Sequence, residues 1–299
     1  MHIPDNFLSP PVWAVLDAVA IPAVAYVSRQ AQKSTDTNRL ALLGVMGAFV
    51  FAAQMINFPV GVGTSGHLVG GALLACALGP APAVLVMTTI LAIQAFVFQD
   101  GGVLALGANV FNMAVVGVLA GYLPLRVWGA GRRNVAIFAG GFFSVLVSGS
   151  LALAELLISG IRMPRPLVFT SLGLFAVNAA LEGAITLSVL QALHKLNPGF
   201  APAPGRSNGR ILTAVSTAAL LLGVAGFLLA SSAPDAIQSL GRNLGLSSKA
   251  SFQTPLANYS VGSFESAWLR RAVAGLTGLL LICGLCLAGA RAIGRKGSA

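Results

Sequence analysis

Residues 68–98 read LVGGALLACALGPAPAVLVMTTILAIQAFVF, without a single charge. A spanning helix needs about 20 apolar residues, so this run is too long for one crossing. Gly79-Pro80-Ala81-Pro82 lies near its middle, and proline and glycine interrupt a helix there. The run therefore divides into a short span, 68–79, and an ordinary one, 82–98. That division sets the direction of every later segment. Working outward, further apolar segments fall at 11–28, 40–57, 103–125, 134–160, 167–194, 211–230 and 267–290. Nine spans result, and the fold class is an all-α polytopic membrane protein.

Composition agrees. The 299 residues are 56% hydrophobic and 9% charged, against about 25% charged in soluble domains, and the mean hydropathy is +0.85. A net charge of +10 would suggest nucleic acid in a soluble domain. Here the basic residues flank apolar runs, so no nucleic acid is expected and the charges are read as orientation in the bilayer. With the N-terminus outside, Arg29, Lys33, Arg39, Arg126, Arg132, Arg133, Lys195, Arg206, Arg210, Arg291, Arg295 and Lys296 all lie inside. Arg162, Arg165, Arg242, Lys249, Arg270 and Arg271 lie outside. The inner excess supports an outward N-terminus, and without the break at Pro80 the later loops would change sides.

The sequence divides into two parts. Residues 196–210 are rich in proline and glycine and read as a linker. They separate a seven-span module, 1–195, from a two-span module, 211–299. The polar segment 231–266 between the last two spans is longer than an ordinary connection, which points to a functional or partner-bound loop. Cys76, Cys283 and Cys286 all lie inside apolar runs. Cys283 and Cys286 are one helical turn apart and read as core packing, with no disulfide framework.

The chain opens Met1-His2-Ile3-Pro4-Asp5. No basic segment precedes an apolar stretch as in a signal peptide, and a residue as large as His2 disfavours loss of the initiator methionine. Met1 is therefore expected to remain the terminus. The Met1 amine, the His2 amide and the His2 imidazole can then close a five-membered and a six-membered chelate ring. Planar nitrogen coordination of this kind suits Ni²⁺ or Cu²⁺. By position alone, His2 reads more readily as a solvated terminal residue.

A second histidine, His67, lies in Phe58-Pro59-Val60-Gly61-Val62-Gly63-Thr64-Ser65-Gly66-His67-Leu68-Val69-Gly70-Gly71. So much glycine excludes a continuous helix, and irregular backbone at membrane depth must be buried in protein or line a cavity. His67 stands at the start of the next span, where Thr64 or Ser65 is expected to cap the helix. It reads either as a fourth nitrogen ligand or as a hydrogen-bonded loop histidine. Asp100, in Gln99-Asp100-Gly101-Gly102, reads as an outer turn former. Glu155 and Glu182 fall inside spans, where a carboxylate needs a partner or a proton; structural pairing and a transport role are both open. Asn57, Gln94, Asn109 and Asn112 are read as supports for the imidazole rings or as links between helices. His194, beside Lys195, reads as an interfacial anchor. There is no phosphate loop, no H-E-x-x-H and no G-x-S-x-G, so neither ATP hydrolysis nor intramembrane proteolysis is expected of this chain.

Three stretches resemble the metal-specific membrane subunits of nickel and cobalt energy-coupling-factor (ECF) transporters: Met1 to Pro10, Gly63 to Gly71, and Gln99 to Asn109. The resemblance covers the first 195 or so residues. It implies a seven-helix substrate-binding subunit with an outward, tucked-in N-terminus. The implied ligands are the Met1 amine, the His2 amide and imidazole, and the His67 imidazole; Asn57, Thr64 and Ser65 are read from their positions as candidate supports. The last 100 or so residues resemble the small two-helix accessory subunit of the same systems. Two departures stand out. Asn6 replaces a glycine common in the opening motif, which questions the turn after Asp5. Pro234-Asp235-Ala236-Ile237-Gln238 stands where Pro-Asp-Gly-Leu-Glu is usual, which questions any detailed role for that loop.

The implied function is capture of Ni²⁺ or Co²⁺ from outside as transported substrate, with nickel preferred and no organic cofactor. The implied partners are a transmembrane scaffold (T) subunit and ATP-binding (A) subunits in the inner membrane of a bacterium or archaeon. The alternatives are a subunit or carrier for an organic solute such as a vitamin, and a non-transporting scaffold that hands metal to a neighbour. Both dispense with one part of the scheme: the first with His2 and His67, the second with ATP-driven accumulation.

Overall fold

The computed structural model describes residues 1–34, 40–198, 209–248, 252–262 and 264–295. Most of the expected linker (199–208), Arg39, Arg206, Lys249 and Lys296 lie outside the described residues. Helices occupy all nine expected places: α1 (Pro10–Ser34), α2 (Leu40–Gln54), α3 (Gly71–Leu78), α4 (Pro80–Ile93), α5 (Leu106–Asn109) running on into α6 (Gly117–Trp128), α7 (Arg133–Ile158), α8 (Arg165–Leu196), α9 (Gly209–Ala225), and, after the short α10 (Ala236–Asn243), α11 (Ala267–Arg295). Among the described residues, seven helices are long and apolar enough to cross a membrane, and Leu40–Gln54 is a shorter apolar helix.

The third expected span differs. Gly79 and Pro80 do end one helix and begin the next, as the sequence requires. Yet α3 has only 8 residues, all buried, or about 12 Å of rise. It does not cross a bilayer by itself. The glycines upstream explain why: Phe58–Gly61 (β1) and Thr64–Gly66 (β2) form a small antiparallel hairpin, and residues 67–70 lead to the helix without regular structure. Irregular backbone here is enclosed by protein, as membrane depth demands. Thr64 and Ser65 consequently cap nothing. The N-cap of α3 is Gly70, in the left-handed region at φ 80 with no side-chain cap. The stretch is tied down instead by Glu182 of α8, whose two carboxylate oxygens accept the amides of Val69 and Gly70, each at 2.7 Å.

Small residues let the helices approach closely. Gly141 of α7 faces Gly183 of α8, and Gly223 of α9 faces Gly275 of α11. Cys283 and Cys286 pack against Gly44 and Gly47 of α2, the core role expected of them. Through α2, the α9–α11 pair is joined to the first seven segments.

Two π-helical turns shape the end of the bundle that carries the terminus. One, Gln94–Phe98, ends α4; the other, Val110–Val116, joins α5 to α6. Such turns re-aim the residues beside them and recur at functional sites. After the first, Gln99 adopts the left-handed region at φ 55, and the Asp100 amide donates back to the Gln94 carbonyl at 2.9 Å. Immediately before the second stands Asn109.

Candidate metal centre

The first eight residues fold into the protein rather than trailing from it. Met1, His2, Ile3, Asp5, Phe7 and Leu8 are all buried. Burying this backbone requires partners for its polar groups, and the partners are specific. The Asn109 side chain grips Ile3 from both sides: its Oδ1 accepts the Ile3 amide at 2.8 Å and its Nδ2 donates to the Ile3 carbonyl at 3.1 Å. The Gly102 amide donates to the same carbonyl at 2.9 Å. Asp5 Oδ1 accepts the Leu104 amide at 2.8 Å. A side chain at Gly102 would collide with the backbone of Pro4 and Asp5, so a glycine is needed at this approach. Asn6 sits at φ 69. Asparagine tolerates that region better than most residues, so the turn after Asp5 survives the loss of the usual glycine.

This framework brings the two histidines and the terminal amine together. The Met1 nitrogen lies 2.6 Å from His67 Nε2. His67 Nδ1 lies 2.9 Å from the Leu68 carbonyl. That carbonyl can only accept, so Nδ1 carries the proton and the Nε2 lone pair faces the amine. The His2 and His67 rings lie 5.4 Å apart between centroids and 9° from parallel. The Met1 side chain is lodged beside Phe175 and Gly149, with its sulfur 3.6 Å from Asn178 Nδ2. Among the described residues, no acceptor lies on the His2 amide.

Two carboxylates complete the surroundings. Asp100 Oδ1 lies 3.3 Å from His2 Nδ1, while its Oδ2 accepts the Tyr259 hydroxyl at 2.6 Å. It is therefore more than a turn former. Asp235 Oδ2 pairs with the Met1 ammonium at 2.6 Å, and its Oδ1 caps α10 by accepting the Gln238 amide at 2.8 Å. Burial alone would raise both carboxyls. Beside Asp100, the His2 ring and the Tyr259 hydroxyl outweigh burial and lower it. Beside Asp235, the terminal ammonium and His67 do the same. His67 is held well below the ordinary imidazole value, first by burial and then by the positive amine and His2.

Asp235 arrives on the segment that follows α9, which is laced to the β-hairpin. The Ser65 amide donates to the Pro234 carbonyl at 2.9 Å and Ser65 Oγ to the Ala233 carbonyl at 2.7 Å. The Ser231 amide donates to the Asn57 carbonyl at 2.7 Å, and Thr64 Oγ1 meets Ser239 Oγ at 3.3 Å. Thr64, Ser65 and Asn57 thus bind this C-terminal segment rather than the rings. A polar cavity of about 730 Å³ lies between it and the terminus, lined by His2, His67, Asp100, Asp235 and Tyr259 among others.

The other intramembrane polar residues pair with one another or with the backbone. Gln94 Nε2 donates to Gln54 Oε1, and Gln54 Nε2 to the Val69 carbonyl, both at 2.7 Å. Asn112 Nδ2 donates to Glu155 Oε2 at 2.8 Å. His194 is exposed in the last turn of α8, far along the chain from the site. Asp235 and Tyr259 were missed as site residues because their partners lie hundreds of positions away or in a connecting turn. The one local sign was the unusual length of the polar segment that carries them.

The fold is that of a multi-pass membrane protein that gathers an amine and two imidazoles in one buried spot. The chain matches the family model for the cobalt uptake substrate-specific transmembrane region over residues 2–200, and it belongs to that family. A relative from Archaeoglobus fulgidus, described as a fused nickel transport protein, NikMN, is 32% identical over 295 residues, covering 95% of this chain and 96% of the relative. The cobalt transport protein CbiM of Acetoanaerobium sticklandii is 32% identical over 203 residues, covering 64% and 84%. A crystal structure of a truncated transition metal transporter superposes with a TM-score of 0.58 at 31% identity, covering 65% of this chain and 99% of that one.

Proposed function

We propose that the chain captures Ni²⁺ or Co²⁺ as the metal-binding membrane component of an ATP-driven ECF importer. The observation that carries this reading is the placement of the Met1 amine 2.6 Å from His67 Nε2 with the His2 ring alongside, all buried. The ligands are the Met1 amine, the His2 amide nitrogen and Nδ1, and His67 Nε2. Nδ1 is the His2 ring nitrogen that closes a six-membered ring with its own amide. As the ion enters, the amine gives up its proton, the amide gives up its proton, and Nδ1 turns its lone pair to the metal. Asp100 and Asp235 remain as counter-charges beside the cation. Four nitrogens including an ionised amide favour a planar ion, so nickel is preferred over cobalt.

Residues 1–195 form the metal-binding module and 211–299 the accessory module, whose segment carrying Asp235 assists loading through the polar cavity. The N-terminus faces outward in the cell membrane. A separate T subunit and A subunits supply the scaffold and ATP hydrolysis. The relatives' descriptions as nickel and cobalt transport proteins support the substrate class.

The test is calorimetric titration of Ni²⁺ and Co²⁺ into protein with its native terminus, beside protein with one residue added before Met1. The extension displaces the amine and is expected to abolish tight binding. Equal binding by both proteins would refute the amine as a ligand.

A further inference from the structure

Tyr259 stands out on backbone grounds. It and Asn258 adopt φ 53 and φ 54 in succession. A bulky residue in the left-handed region is a genuine outlier, and such strain persists where the surroundings over-determine it, often at functional sites. Here the surroundings are explicit. The Tyr259 ring stacks on Phe98 at 4.7 Å and 15°, and meets Phe51 at 6.1 Å. Thr254 Oγ1 donates to the Val97 carbonyl at 2.5 Å, and Gln99 Nε2 donates to the Phe252 carbonyl. Residues 252–259 are thereby clamped along the π-turn that leads to Asp100.

The result is a relay of two contacts. The Tyr259 hydroxyl donates to Asp100 Oδ2 at 2.6 Å, and Asp100 Oδ1 faces His2 Nδ1 at 3.3 Å. A carboxylate held at one oxygen cannot swing away from what its other oxygen faces. We propose that Tyr259 is a positioning residue of the metal centre: its hydroxyl fixes Asp100 beside His2 Nδ1, so that the segment before α11 holds a counter-charge next to a ligand atom more than 250 residues away in sequence. This rests on the reading of His2 as a ligand. Outer partners of a metal site typically change its affinity about 10- to 100-fold when removed.

The test uses Ni²⁺ titration of the full chain with its native terminus, in four versions: unaltered, Tyr259→Phe, Asp100→Asn and the double variant. Phenylalanine keeps the stack on Phe98 and removes only the hydroxyl, so the fold is preserved. The expected result is about a 10-fold weaker affinity for Tyr259→Phe. The double variant should match Asp100→Asn alone, because the tyrosine acts through the aspartate. Affinity unchanged in Tyr259→Phe, or losses that multiply in the double variant, would overturn the proposal. His2→Ala in the same series keeps the two readings apart. Tight binding retained there sinks the metal site itself, whereas binding lost there but intact in Tyr259→Phe sinks only the role of the tyrosine.

Discussion

Asn109→Ala offers the most direct measure of how the terminus is held. The substitution removes both bonds to Ile3, at 2.8 and 3.1 Å. The Ile3 carbonyl keeps the Gly102 amide, so the loss there is that of one ordinary bond, about 0.5–1.5 kcal/mol. The Ile3 amide is left buried without an acceptor, which costs about 1–3 kcal/mol more. Docking of residues 1–8 is thus weakened by about 1.5–4.5 kcal/mol. Hydrogen exchange reads this quantity directly, because local opening limits exchange of buried amides. Exchange of the N-terminal peptide in the metal-free variant is expected to speed up by about 10- to 1,600-fold, at about 1.4 kcal/mol per tenfold. Peptides from α7 and α8 should exchange as before. Protection of the terminus within threefold of the unaltered protein would refute the argument that Asn109 pins it.

Three further outcomes follow from the same contacts. Glu182→Gln replaces an acceptor of two backbone amides with a group that can accept only one, a loss of about 2–3 kcal/mol; the melting temperature should fall by about 4–12 °C, and an unchanged thermal melt would count against the strap. Acidification should loosen the docked terminus. His67 is held below its ordinary value, so its contribution is complete above about pH 6.5 and is lost progressively as pH falls below that. The lowered Asp100 and Asp235 contribute above their ordinary value of about 3.9 and are lost only as pH falls below it. Hydrogen exchange of the terminus between pH 7 and pH 5, corrected for intrinsic rates, should therefore show opening driven by His67, and its absence in His67→Ala is the control. Metal affinity should fall over the same range because protons compete for the ligands. His194→Ala should leave metal affinity unaltered, since His194 is exposed at the end of α8; a weakened titration would mean that the third histidine takes part.

Much of this was legible in the residues themselves. Proline and glycine at 79–80 end one helix and start another wherever they occur, because a missing amide and an unrestrained backbone act locally. The apolar runs mark spans for the same kind of reason: each must satisfy its own backbone in lipid. Asn6 also behaves as its local preference allows. The length of α3 was less legible, since the glycines at 58–71 forbid a helix without saying what replaces it. The hairpin is tied to the segment after α9, and residues 69–70 to the Glu182 carboxylate, partners that come from elsewhere in the chain.

The amino-acid sequence by itself determined the order of the long apolar helices, and it offered Met1, His2 and His67 as candidate nitrogen donors, since helix breaking, apolar runs and chelate ring size at the terminus are properties of neighbouring atoms. Only the tertiary structure decided that Asn109 grips Ile3, that Asp235 meets the amine and that Tyr259 holds Asp100. Those contacts join residues 106 to 234 positions apart, and no local preference encodes them. They exist because a buried charge or amide must find a partner, and folding alone determines which partner is near.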